Sequence, residues 1–315
     1  MKFILVLILS VCSCSYLFSQ TLNCSVKDKN EKGVPYVNIG IPSKAFGIIS
    51  DDEGNFTFKI TGEKDTDTLQ ISCIGYVTIN LTIANLKLHN ETKVPIHLTE
   101  AVYNLATTVV RPNEFEVRKL GSKNVEELNC MTMGKFVTSD TAYQRLSKEK
   151  GLSDKAIGIE LGNKIKIDKG HQTFIDKIEF KTCVKPNDTA IYRVNIYVEG
   201  KTLKKIMTPI GMVKVVNNEN VLKEGIIVKA IGKTEVHSID LSKQNIEVYD
   251  DFIVALECIY SSDTTMNIGA AASMFGSTDL LFRASVMSEW VKIPLIDLTF
   301  IGATVTYNKK KVKKK

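Results

Sequence analysis

Two β-sandwiches in series are predicted, an all-β chain, on three observations. Residues 22–98 alternate apolar and polar side chains in short runs. Clusters rich in Asp, Asn, Gly and Pro separate those runs. After a polar interval, apolar runs of strand length return from Ile157 to Tyr307. Period-two alternation puts successive side chains on opposite faces, which suits a sheet with one face buried and one wet.

The first set, about seven strands with turns between, includes in order the six runs Leu22–Lys27, Tyr36–Ile41, Asn55–Ile60, Leu69–Ile74, Val77–Ile83 and Lys93–Leu98. Asn55–Ile60 is the cleanest: Phe56, Phe58 and Ile60 alternate with Asn55, Thr57 and Lys59. It follows Asp51-Asp52-Glu53-Gly54, a strong turn signal, because acidic side chains bond their own backbone and glycine accepts positive φ. Leu105–Val110 reads as a last strand stopped by Arg111-Pro112, and Glu126–Leu146 as a polar connector with helical character. The second set comprises Ile157–Ile167, Thr173–Thr182, Ala190–Val198, Gly225–Lys229, Val236–Asp240, Asp251–Tyr260, Leu280–Val286 and Leu298–Tyr307. Phe252–Ile259 is apolar on both faces except at Glu257, so it is expected at the centre of a sheet. Lys201–Pro209 and Ser261–Asp279 read as long loops.

The strand pattern of 22–98 carries a family resemblance. Gly33 and Pro35, then Gly47, Ser50, Asp51, Gly54 and Phe56, then Leu69, Ile71, Ser72, Ile74, Gly75 and Tyr76 stand at the positions of the carboxypeptidase regulatory-like domain. The chain resembles that family over about a quarter of its length. The resemblance implies a transthyretin-like seven-stranded Greek-key sandwich. It implies an accessory module, of the kind found beside peptidases and at the front of TonB-dependent outer-membrane transporters, without peptidase activity of its own. The second half (RVNIY at 193–197, NVLKEGIIV at 220–228, DFIVALECI at 251–259) resembles segments that follow this module in exported proteins of Gram-negative bacteria. That likeness implies a jelly-roll-like β-sandwich, a shape that does not by itself settle a ligand. The expected organisation is a signal peptide at 1–20, the regulatory-like domain at 21–99, a connector at 100–155, a C-terminal sandwich at 156–307 and a basic tail at 308–315.

Lys2 followed by the apolar run Phe3–Leu9 and a small, polar stretch to Gln20 reads as an export signal. Cleavage is expected after Ser19 or Gln20, with lipidation at Cys14 as the alternative. No later stretch approaches the ~20 uninterrupted apolar residues of a transmembrane helix. The formal charge of +6 is carried by six lysines among the last seven residues, so the rest is neutral in sum. A nucleic-acid reader needs a basic face on folded surface, and that balance does not favour one. Beyond the signal stand five cysteines: Cys24, Cys73, Cys130, Cys183 and Cys258. Their spacing implies neither a disulfide framework nor a zinc knuckle, and a Cys24–Cys73 bridge is the one pairing entertained.

No catalytic constellation emerges. His97-x-x-Glu100 matches part of a zinc peptidase signature but falls on the closing strand of the first sandwich, and no segment reads as the catalytic domain. No nucleophile elbow, P-loop or dinucleotide fingerprint occurs. No cofactor or metal is expected. Trp290, with Arg283 and Lys292 nearby, reads either as an aromatic platform for a sugar ring or peptide or as a ring capping the sandwich edge. Arg283 and Trp290 are therefore the candidate ligand contacts. The function expected is that of a non-enzymatic exported protein of periplasm, outer-membrane surface or medium. It would bind a glycan, a peptide or an outer-membrane transporter, with the second sandwich presenting the surface. The alternative is a hydrolase of glycan or peptide using carboxylates of that sandwich.

Overall fold

The computed structural model describes residues 20–102, 115–132, 157–208, 211–262, 269–274, 278–292 and 298–311. The export signal with Cys14, the expected strand Leu105–Val110, most of the Glu126–Leu146 connector and the end of the basic tail lie outside the described residues.

The chain is all-β, and its first seven strands form two sheets. Strands β1 (Gln20–Lys27), β4 (Asn55–Ile60) and β7 (Ile96–His97) run in the order β4-β1-β7. Strands β2 (Asn38–Ile41), β3 (Phe46–Ile49), β5 (Thr68–Ser72) and β6 (Ile79–Thr82) run in the order β3-β2-β5-β6. Phe56, Phe58 and Ile60 are buried while their neighbours on β4 are exposed, so the alternation read in the sequence is the alternation of the pleat. Leu22, Ile39, Phe58, Leu69 and Ile71 meet in the core between the sheets. The 51–54 turn forms as expected. Asp51 Oδ1 accepts from the N–H groups of Glu53 (3.0 Å) and Asn55 (2.7 Å), and Gly54 takes φ +83°.

Three elements here depart from the sequence reading, the closing strand Lys93–Leu98 among them, which is strand only over Ile96–His97. Val77–Ile83 is strand only over Ile79–Thr82, and helix α1 (Ile83–Thr92) follows directly. Thr82 caps it, its hydroxyl accepting from the Asn85 N–H at 3.1 Å. Only Ile83 and Leu86 of the helix are buried and Leu88 is exposed, so it prints no apolar stripe. Strand β3 is four residues long with Gly47 inside it, too short and too interrupted to signal itself.

The second domain pairs two larger sheets. One has β10 (Glu160–Ile165), β12 (Thr189–Thr208), β13 (Gly211–Asn220), β14 (Ile226–Ile231), β17 (Phe252–Ser261), β19 (Asp279–Arg283) and β20 (Val291–Lys292). Its order is β13-β12-β17-β10-β19-β20, with β14 also on β12. The other has β8 (Phe115–Gly121), β9 (Asn129–Thr132), β11 (His171–Cys183), β15 (Thr234–Asp240), β16 (Ile246–Val248), β18 (Gly269–Met274), β21 (Leu298–Thr299) and β22 (Ile301–Lys311). Phe180, Tyr192, Phe252, Leu256 and Phe300 fill the space between them. Strand β17 is central as expected, and every residue of it but Tyr260 is buried.

Four expectations for this half are corrected. The described part of the connector at 100–155 supplies sheet: β8 pairs with β22, and β9, within the Glu126–Leu146 stretch read as helical, pairs with β18. The stretch read as the loop Lys201–Pro209 is strand over its described residues, because β12 continues to Thr208 and pairs with β13. Ser261–Asp279 carries β18. The disulfide joins Cys130 to Cys183, while Cys24 and Cys73 are free thiols. The pairing of β9 and β11 with the same strand β18 brings the bridged residues together across 53 positions of sequence.

The two domains touch through the β3-β2-β5-β6 sheet. Gly40 and Gly47 face each other on β2 and β3, and Met287 of the second domain lies over them. A Cβ at Gly40 would fall 2.3 Å from the Phe46 carbonyl oxygen and 2.6 Å from Met287 Cγ, so only glycine admits this approach. Ser288 Oγ donates to the Ala45 carbonyl at 2.8 Å beside it.

Candidate ligand-binding groove between the domains

Strand register lines up five residues on one face of the seven-stranded sheet. Across β14, β12, β17, β10 and β19 they are Ile227, Arg193, Glu257, Glu160 and Arg283. Four charges therefore stand side by side in the order plus, minus, minus, plus, all buried. Arg193 forks onto Glu257, Nε to Oε2 at 2.8 Å and Nη2 to Oε1 at 2.9 Å. Arg283 Nε meets Glu160 Oε2 at 2.5 Å. The two carboxylates that would repel are bridged by Asn195, whose Nδ2 donates to Glu160 at 2.5 Å and to Glu257 at 3.0 Å. Asn220 in turn donates to Asn195 Oδ1 at 2.9 Å, and Tyr197 donates to Glu160 at 2.9 Å. Burial and the neighbouring Glu257 push the Glu160 carboxyl above its ordinary range, against the pull of Arg283. Burial opposes the charge on Arg193, but the Glu257 carboxylate outweighs it and holds the guanidinium more firmly protonated than usual. Removing one member would leave an uncompensated buried charge, at a cost of ~3–5 kcal/mol.

The structure brings Arg283 and Trp290 together. The Arg283 guanidinium lies 4.6 Å from the Tyr197 ring centre and 4.5 Å from that of Trp290. Its remaining donors go to Tyr197 Oη at 2.5 Å and the Val286 carbonyl at 3.2 Å. Trp290 meets Tyr197 edge-on and packs on Ile253, Ala255 and Leu281 over Gly162. Arg283 is 5% exposed and Trp290 half-buried, so the stack caps the edge of the sheet with its cation covered. His97 and Glu100 look to different partners: His97 Nε2 contacts Glu31 Oε1 at 2.7 Å, and Glu100 takes Lys29 at 3.1 Å. Among the described residues, no group of three or more His, Cys, Asp or Glu is placed to hold a metal ion. No helix among them is long and apolar enough to cross a membrane.

Arg193 has a second task. Its Nη1 donates to the Tyr36 carbonyl at 2.5 Å and its Nη2 to Asn38 Oδ1 at 2.9 Å, both in the first domain. Tyr36 itself holds φ +55°, a left-handed conformation that costs a bulky residue ~1–3 kcal/mol unless its surroundings enforce it. They do: the Tyr36 N–H donates to the Asp51 carbonyl at 3.1 Å while Arg193 takes its C=O.

Tyr36 lines a groove of about 1070 Å³ with walls from both domains. The first domain contributes Asn23, Asp51, Asp52, Thr57 and Lys93, among others. The second contributes Ile191, Lys229 and Tyr260, which stand in one row across β12, β14 and β17. Tyr260 is 42% exposed. Burial and then the Asp52 and Asp51 carboxylates push the Tyr36 hydroxyl up. Cys24 also lines the groove, but burial raises its thiol to about 11, with Lys93 pulling weakly the other way. Such a thiol stays protonated at neutral pH and is a poor nucleophile.

Sequence reasoning missed Arg193, Glu160 and Tyr36. A signal was present in part: Glu257 interrupts an otherwise apolar strand, Arg193 is the one charge in the run Ala190–Val198, and a charge in such a place needs a partner. Compared with the curated proteins, the chain has no match. The family model described as CarboxypepD_reg-like domain matches residues 23–110, the segment that holds the first pair of sheets and the groove's Tyr36 wall. Residues 23–110 are thus a CarboxypepD_reg-like domain, a β-sandwich module set against a second and larger sandwich.

Proposed function

We propose that this is a non-enzymatic exported protein that binds an extended ligand, or docks a partner's extended segment, in the groove between its domains. The observation that carries the reading is the groove's construction. Its two walls belong to different domains, and Arg193 ties those domains together beneath it. A groove of about 1070 Å³ exceeds what a single small metabolite fills and suits a stretch of polymer.

Two features support export to the periplasm, the outer-membrane surface or the medium. The first twenty residues have the charge and apolar pattern of a signal peptide. The Cys130–Cys183 disulfide is at home in an oxidising compartment. The absence of catalysis is supported by the fate of the paired carboxylates. A general acid must reach its substrate, whereas Glu160 and Glu257 are fully buried and each is engaged by an arginine.

The test is a binding screen of the chain from Thr21 onward on glycan and peptide arrays. Ligands captured by the wild type should be lost when Thr57→Trp fills the groove and kept when Val117→Trp alters an exposed site on β8. Capture that survives Thr57→Trp would place binding elsewhere and end this reading.

A further inference from the structure

We infer that the groove takes an uncharged, hydroxyl-rich chain, a neutral oligosaccharide, on Tyr36 and Tyr260, and that Arg193 is the positioning residue that presents Tyr36 to it. The inference rests on the groove being the binding site, and it adds the chemistry of the ligand and the source of its specificity.

Three observations select the ligand class. First, Asp51 and Asp52 on the lining are matched by Lys93 and Lys229, so the groove has no net field to draw a charged polymer. Second, its side chains include Asn23, Ser25, Asn55 and Thr57, groups that donate and accept at once, as sugar hydroxyls do. Some are already fixed by one another: Thr57 Oγ1 donates to Asn23 Oδ1 at 2.9 Å, and Asn55 Nδ2 to Asp51 Oδ2 at 3.3 Å. Polar groups held in advance lose little freedom on binding. Third, an extended peptide adds to a sheet through free main-chain donors, and here one is closed. The Asn23 N–H, on the side of β1 away from β4, already donates to Asn90 Oδ1 at 2.8 Å. The lining thus sets two tyrosine rings beside apolar side chains such as Ile191 and Val94 and a field of mixed donors and acceptors. Rings that combine an apolar face with a polar tip suit the C–H face and hydroxyl rim of a sugar.

Arg193 enters because Tyr36 does not hold its place unaided. The left-handed backbone at Tyr36 is clamped at its N–H by Asp51 and at its C=O by Arg193. Releasing the carbonyl lets φ relax and swings the ring away from the groove. A buried charge in one domain therefore sets a contact residue in the other.

The experiment is calorimetric titration of the mature chain with cello-, xylo- and manno-hexaose. A galacturonate hexamer and an uncharged Ser/Thr-rich peptide are run alongside. At least one neutral hexaose should bind, the galacturonate should bind no better, and Tyr36→Ala and Tyr260→Ala should each weaken binding about tenfold. Asn38→Ala withdraws one of Arg193's acceptors without touching the groove or stranding a charge. It should weaken binding severalfold in the wild type and have no further effect in Tyr36→Ala, a non-additivity that a purely structural role would not produce. Additive effects would overturn the role of Arg193. Peptide binding without saccharide binding, sensitive to Tyr36→Ala, would overturn the ligand class and leave the groove standing. Binding of none of these probes would overturn the saccharide proposal, and binding unmoved by either tyrosine would count against the groove itself.

Discussion

At Arg193 a single guanidinium satisfies a carboxylate on its own sheet and two acceptors on the neighbouring domain, with its residue 3% exposed. Arg193→Met removes the cation and strands Glu257, so we predict a loss of ~3–5 kcal/mol of stability in urea melts. Arg193→Met with Glu257→Leu should recover much of that loss, because no unpaired charge stays buried, yet the contacts to Tyr36 and Asn38 remain broken. Asp28 offers a test by pH. Its Oδ1 accepts from the Lys32 and Asn30 N–H groups at 3.0 and 2.8 Å, and the first of these most strongly holds its carboxyl below the ordinary 3.8. A depressed native value means that the stabilisation is complete above 3.8 and is lost as pH falls through the native value. Thermal melts in acid should therefore show a shallower decline for Asp28→Asn than for the wild type.

Individual elements differ in how plainly the sequence announces them, and the reason is physical in each case. Strand β4 is legible because one face is buried and the other wet, and β17 because both its faces are buried. Helix α1 is not, since it presses only Ile83 and Leu86 into the core. Its boundary rests on a cap, so Thr82→Ala should destabilise the first domain by about 1 kcal/mol, read from its chemical melt. The Cys130–Cys183 bridge is invisible to spacing because strand pairing, not proximity in sequence, unites its ends. It ties β9, four residues long and paired among the described residues with β18, to the end of β11. Cys130→Ser with Cys183→Ser should cost ~2–4 kcal/mol, measured against the oxidised wild type. The ionic row was legible only in fragments. Glu257 showed as the exception within an apolar run, but its partners come from strands whose register no local pattern encodes.

For the whole molecule, the charged row, the Gly40–Gly47 seat for Met287 and the clamped Tyr36 make the two sandwiches a single mechanical unit. The first domain is then a wall of the groove, where the resemblance read in the sequence implied an accessory module. Gly40→Ala tests the seat: its Cβ meets backbone on two sides as well as Met287, so both domains should lose stability together. The most direct measurement follows urea unfolding of the chain from Thr21 onward with one probe in each domain. Trp290, the sole tryptophan, reports on the second domain by fluorescence, and labelling of Cys24, resolved by peptide mass, reports on the first. Two probes on one cooperative unit give coincident transitions. The account predicts coincidence in the wild type and a shift of both transitions in Arg193→Met. Cys24 labelling at markedly lower urea than the Trp290 transition, unmoved by Arg193→Met, would contradict it.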